Sequence, residues 1–253
     1  MTIGRARRGA AILALCLGPL TATGCTAFAG EVHPKRTASA APAAGPGSSK
    51  APVVMFLGDS YTVGERGSKP ERTYAMALGR LLGWQVIVGG RGGTGFVAGG
   101  DRRSSFIQSF ESQLGWRPAP DLLVVAGGHN DYGFPAPEVS GAAQIVLERA
   151  RQRWPATRVV LIGPLWGNDT PPASALAVRD GLSGLAQRFG LQFIDPIAEH
   201  WITGNRVNGT GNAARLIQRD GTHPTPTGHR YVATRLAADF RRLGLAHPSH
   251  TGR

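Results

Sequence analysis

Cysteine is almost missing from this chain of 253 residues: there are two, Cys16 and Cys25. Cys16 lies inside an N-terminal apolar run that export would remove, so no disulfide within the mature chain is available to staple the fold. Charged residues are also scarce, at 17%, and acids are the scarcer sign, with 16 Asp and Glu against 28 Lys and Arg. The basic residues do not gather into one run and no base-reading or stacking motif accompanies them, which speaks against nucleic acid as a partner. Long apolar stretches are lacking too: Ala10 to Leu20 stops short of the ~20 residues a stable membrane span needs. The Gly-x-Ser-x-Gly elbow is absent, which removes the commonest serine-hydrolase fold.

What is present begins at the N-terminus. Arg5, Arg7 and Arg8 precede the apolar run, and small residues follow it up to Cys25, the pattern of a secretory signal over residues 1–25. Ala22-Thr23-Gly24-Cys25 resembles a bacterial lipobox, in which Cys25 would carry the lipid and become the first mature residue. Plain secretion and a retained anchor stay open as alternatives. The expected location is extracellular or cell-surface, with the membrane touched only through that N-terminal anchor. Losing residues 1–25, with their three arginines, lowers the formal charge from +12 to +9, which suits anionic envelope polymers or lipid headgroups. Residues 26–51 are rich in Ala, Pro, Gly and Ser and read as a disordered tether, because they bury too little apolar surface to offset ordering. Residues 52–245 form one domain, for which a 42% hydrophobic chain supplies ample core; residues 246–253 read as a flexible tail.

Within the domain, Val53 to Leu57, Trp84 to Val88, Leu122 to Ala126, Arg158 to Ile162 and Leu191 to Ile194 read as strands. They are rich in Val, Ile and Leu, too short for helices, and without polar alternation, which points to burial on both faces. Pro70 to Leu82, Ser104 to Leu114, Pro137 to Trp154, Ala173 to Phe189 and Thr225 to Leu243 carry the apolar spacing of amphipathic helices. Such alternation predicts an α/β fold, a parallel sheet covered on both sides. In that architecture ligands meet the carboxyl ends of the strands. The loops there are Gly58-Asp59-Ser60, the Gly-rich 89–95, Gly127-Gly128-His129-Asn130-Asp131 and, before the last helix, Asp220-Gly221-Thr222-His223.

Those loops hold the parts of an acyl-transfer site. A serine hydroxyl needs a base to take its proton, and the base needs a third group to hold its tautomer. Asp220 and His223, three residues apart in a tight turn, can supply both to Ser60. The developing oxyanion needs fixed donors. Three are at hand: the N–H of Ser60, the N–H of a glycine in the second loop, and the side-chain amide of Asn130.

The four blocks GDS, the Gly-rich loop, GGHND and DGTH, in this order, resemble those of the SGNH family, also called GDSL esterases and lipases. The resemblance spans most of residues 52–243. It implies a three-layer α/β/α sandwich with a five-stranded parallel sheet, flavodoxin-like in plan. It also implies Ser60 as nucleophile, His223 as base and Asp220 as its orienting acid, with Ser60, Gly93 and Asn130 as oxyanion donors. Gly92 and Gly95 compete with Gly93 for that role.

Several neighbours invite rival assignments. Asp59 reads as a loop tie, Asp131 as a structural hydrogen-bonding acid rather than the third member of the site, His129 as a loop histidine and His229 as a packed one. A metal site from Asp220, His223 and His229 is disfavoured by spacing. Gly90 to Gly95 matches a dinucleotide fingerprint, yet Gly-rich loop follows where a helix should open. Tyr61 and Tyr132 are candidate walls of a substrate cleft, Trp166 and Trp201 weaker ones, and core packing accounts for all four equally well. The expectation is a cofactor-free, metal-free serine esterase acting outside the cytoplasm on carbohydrate or short-chain acyl esters, with acylated polysaccharide as a candidate natural substrate. A lipase- or lysophospholipase-like acyl hydrolase, an acyl transferase, and an envelope-binding lipoprotein that keeps the fold without catalysis are the alternatives.

Overall fold

The computed structural model describes residues 50–65 and 68–249. Five strands, β1 (Val53–Gly58), β2 (Gln85–Gly90), β3 (Leu122–Ala126), β4 (Arg158–Ile162) and β5 (Gln192–Ile194), form one sheet in the order β2-β1-β3-β4-β5. Every pairing is parallel. The chain starts in the middle of the sheet, builds one edge, then crosses back over β1 to build the other. That reversal leaves a crevice beyond the carboxyl end of β1.

Strand alternation sorts the core into two layers. Val54, Phe56, Leu122, Val124 and Val160 face one side, where they meet α2 (Tyr74–Leu82) and α7 (Pro226–Arg242). Met55, Leu57, Leu123, Val125 and Leu161 face the other, against α3 (Phe106–Ser109), α4 (Ala136–Arg153) and α5 (Ala173–Phe189). Because successive side chains of a strand point to opposite faces, an unbroken apolar run is what a doubly covered sheet requires. Truncating a fully buried residue such as Phe56 to Ala costs about 3–5 kcal/mol.

The strands lie within two residues of their sequence expectation, but two helices differ. The expected helix over 70–82 is broken at Thr73, which is extended and fully buried. Its Oγ1 donates to Pro70 O at 3.0 Å, closing a separate 3₁₀ turn over Pro70–Arg72. The expected helix over 104–114 opens only at Phe106, after a capping box between Ser105 and Gln108. It then widens into a π-turn over Phe110–Leu114. Trp84, expected to begin β2, precedes it and is buried, with Nε1 donating to Ala246 O at 2.7 Å, which ties down the segment after α7. Two one-turn helices carry no periodic signal, α1 (Ser60–Val63) and α6 (Ala213–Leu216). Among the described residues no helix is long and apolar enough to cross a membrane.

Candidate active site

β1 delivers Ser60 into the crevice. The chain leaves the sheet at Gly58, and Asp59 caps α1, its Oδ1 accepting from the Tyr61 N–H at 3.0 Å. Ser60 is therefore the first residue of α1, where backbone N–H groups have no intrahelical acceptor. The neighbouring strand end is equally constrained: Gly90 has φ +131°, and a Cβ there would lie 1.7 Å from Gly58 O. Glycine alone permits this approach.

The loop ahead of α7 brings the other candidate residues. Asp220 Oδ1 accepts from the N–H groups of Thr222 and His223, both at 3.0 Å, an Asx-type turn that fixes the imidazole above its own carboxylate. His223 Nδ1 lies 2.6 Å from Asp220 Oδ2, and His223 Nε2 lies 3.0 Å from Ser60 Oγ. The loop is held from below by Tyr61, whose hydroxyl donates to Thr222 O at 2.8 Å. Partial burial acts to raise the Asp220 pKa, but the hydrogen bonds from the His223 ring and from the N–H groups of Thr222 and His223 outweigh it and hold the carboxyl below its ordinary value.

The oxyanion candidates other than Ser60 lie on two loops joined by one carboxylate. Asp131 is fully buried and accepts from the N–H groups of Phe96, Val97 and Ala98, each at 2.9 Å. It thus pins the Gly-rich loop to the loop after β3. Beside it, Asn130 Nδ2 donates to Thr94 O at 2.8 Å, leaving its second amide hydrogen for another acceptor. Of the three competing glycines, Gly95 already gives its N–H to Ala98 O at 2.8 Å. Gly92 and Gly93 remain.

The other residues singled out in the sequence fall into place around this centre. Burial raises the Asp59 carboxyl to about 7, partly offset by the Tyr61 N–H, with the charges of Asp131 and Glu65 adding to the rise. Burial likewise lowers His129 and His229 to about 4. His229 accepts from the Tyr74 N–H at 3.3 Å inside the α2/α7 layer. His129 Nδ1 lies 3.0 Å from Leu165 O, which requires the proton on that nitrogen. Tyr61 is 3% exposed and Trp201 fully buried, whereas Tyr132 is 46% exposed. Rings form a continuous row: Tyr61 beside His223 and His129, His129 against Trp166 at 4.6 Å, Trp166 edge-on to Tyr132. Next to that row opens a cleft of about 420 Å³ lined by Leu165, Trp166, Asn168, Thr170, Ile197 and His200, among others. Among the described residues no cluster of three or more His, Cys, Asp or Glu side chains is placed to hold a metal ion. Cys25 lies outside the described residues.

A family model described as GDSL-like Lipase/Acylhydrolase matches residues 56–231, from the middle of β1 into α7. The chain belongs to this family. A GDSL lipase of Mycobacterium tuberculosis is 32% identical to this acylhydrolase over 193 residues, covering 73% of this chain and 79% of the relative. Among solved structures, a family two carbohydrate esterase from Clostridium thermocellum in complex with cellohexaose aligns with TM-score 0.61 at 17% identity, covering 78% of this chain and 66% of that one. A carbohydrate acetylesterase from Sinorhizobium meliloti aligns with TM-score 0.58 at 16% identity, covering 76% and 99%. These likenesses carry the fold; membership makes the protein an SGNH-type hydrolase.

One acid in this GDSL-like hydrolase escaped the sequence reading. Glu65 Oε2 lies 3.9 Å from His223 Nε2, on the side of the ring that faces Ser60. Nothing in its motif context marks it; the only signal is an acid one residue past the glycine that ends α1.

Proposed function

We propose that this hydrolase cleaves short acyl esters of carbohydrates outside the cytoplasm, through Ser60, His223 and Asp220. The observation that carries the reading is the unbroken row from Asp220 Oδ2 through the His223 ring to Ser60 Oγ, at 2.6 and 3.0 Å. Ser60 Oγ attacks the ester carbonyl carbon while its proton passes to His223 Nε2. The carbonyl oxygen, now negative, is met by the N–H groups of Ser60 and Gly93 and by Asn130 Nδ2. The intermediate collapses as His223 returns the proton to the alkoxy oxygen, and the alcohol leaves. Water, giving a proton to His223, attacks the acyl-enzyme; the acid departs and Ser60 regains its hydrogen. Asp220 holds the imidazole in the tautomer this needs and faces the positive charge that it gains.

The carbohydrate side of the reading draws on the cleft beside the ring row, where Trp166 offers a face and Asn168, Thr170 and His200 offer polar groups. Carbohydrate esterases among the structural neighbours agree with it. A lipid-like acyl ester is the second reading, favoured by the name of the M. tuberculosis relative and by the apolar part of the same cleft, Leu165, Pro171, Leu176 and Ile197. Export and lipidation at Cys25 are part of the proposal, tested by whether Cys25→Ser moves the protein out of the membrane fraction.

A p-nitrophenyl ester series of increasing acyl length, run on the parent, Ser60→Ala and His223→Ala, tests the chemistry. Both variants are expected to lose about 10³-fold or more in kcat/KM, and acetate is expected to be preferred over long chains. Ser60→Ala activity within a few-fold of the parent ends the proposal.

A further inference from the structure

We infer that Glu65 reads the alcohol half of the ester: its carboxylate accepts a hydrogen bond from a hydroxyl on the carbon adjacent to the one that bears the ester oxygen. Monoesters of vicinal diols, the arrangement in a partly acylated sugar, are then the preferred substrates. The inference rests on the reading of Ser60 and His223 given above and assigns the alcohol side of that same site.

Three observations place the carboxylate there. Gly64, which donates its N–H to Ser60 O at 3.0 Å, ends the one-turn helix that Ser60 opens, so Glu65 leaves that helix in fixed relation to the nucleophile. Glu65 Oε2 is 3.9 Å from His223 Nε2, too long for a direct hydrogen bond and short enough to border whatever sits on that nitrogen. On its other side the carboxylate lies against Gly92: a Cβ on Gly92 would fall 1.4 Å from Glu65 Oε1, so any side chain at position 92 would displace it.

His223 Nε2 is the atom that hands a proton to the departing alkoxy oxygen, so the leaving group has to come within hydrogen-bonding reach of it. A group bordering Nε2 therefore borders the alcohol, not the acyl chain. An ionised carboxylate only accepts hydrogen bonds; it can engage a neighbouring hydroxyl and has nothing to give a plain alkyl or aryl leaving group. It also repels an anionic one, which adds rejection to selection. The Glu65 side chain is 42% exposed, so it stays hydrated until substrate replaces that water. Among the described residues the one basic side chain within 4 Å of its carboxylate is His223, which pairs with it as an ion only when protonated, and the hydrolysis above assigns Glu65 no step.

The test compares two small acetates that differ in the neighbouring hydroxyls, glycerol 1-acetate and propyl acetate, and reads the ratio of their kcat/KM values. The parent is expected to favour the glycerol ester. Glu65→Ala is expected to lower that ratio by roughly 10- to 100-fold, the worth of a hydrogen bond to a charged acceptor. Glu65→Gln, which keeps the shape and a neutral acceptor, should fall between. A parent with no preference, an unchanged ratio in both variants, or equal losses on the two esters would each overturn the inference, the last by making Glu65 a structural residue. Loss of the parent's dependence on Ser60 would instead overturn the hydrolase reading, so the two failures are separable.

Discussion

The floor of the site and its rim use the same residue types to opposite ends. On the floor, Asp131 spends its carboxylate on three backbone N–H groups, and Asp59 caps the turn beneath Ser60. His229 there accepts from the Tyr74 N–H. On the rim, Asp220 and His223 also take local backbone bonds, yet each keeps one atom for a partner in the row that ends at Ser60 Oγ. Burial decides the difference. A buried group whose bonds go to the surrounding backbone suits scaffolding; proton transfer needs an atom left for its partner.

The comparison breaks most visibly at Asp131. Asp131→Ala strands three N–H groups in the core, and urea unfolding should show a loss of about 3–6 kcal/mol, together with collapse of activity as the Gly-rich loop comes loose. A loss under 1 kcal/mol would mean the floor is not what pins the two loops. One residue away, Asn130→Ala should do the reverse: kcat falls about 100-fold through the missing oxyanion donor, while stability changes by about 1 kcal/mol or less. Parallel losses in both readouts would erase the distinction between floor and rim.

Asp59 sharpens it through pH. Its folded-state pKa, about 7, lies above the unfolded value of 3.8, so the folded state holds the proton more tightly. Below pH ~4 both states are protonated and nothing is lost; as pH rises from about 4 to about 7 the unfolded chain releases the proton first, and stability declines until the folded group ionises too. Relative to Asp59→Asn, the parent should weaken across that window by on the order of 2–4 kcal/mol, then level off. A difference independent of pH contradicts the assignment. The smallest effect belongs to Tyr132, nearly half exposed: Tyr132→Ala should change stability by about 0.5 kcal/mol or less while raising KM for a sugar ester more than for a p-nitrophenyl ester.

Much of this was legible along the chain. The apolar runs marked all five strands because a doubly covered sheet needs side chains of both parities buried, as Phe56 and Leu57 are. The motif order singled out Ser60, Asn130, Asp220 and His223 as candidates, and part of their geometry is local: Asp220 reaches His223 within three residues. The break at Thr73 was hidden, since a threonine in a helical pattern looks the same whether it continues the helix or bonds back to Pro70. The aromatic residues were ambiguous for a related reason. Tyr61, Tyr132, Trp166 and Trp201 have equally wall-like side chains, and only packing made Trp201 core and Tyr132 surface.

By itself the sequence determined which segments are strands, which residues could handle a proton, and that the family is that of GDSL-like acylhydrolases, because periodicity and short turn motifs are properties of neighbouring residues. Strand order, the 3.0 Å approach of His223 to Ser60 across 163 positions, the commitment of Gly95, and the placing of Glu65 beside His223 belong to the tertiary structure. Such distances depend on how whole layers pack, and no local stretch of chain contains that information.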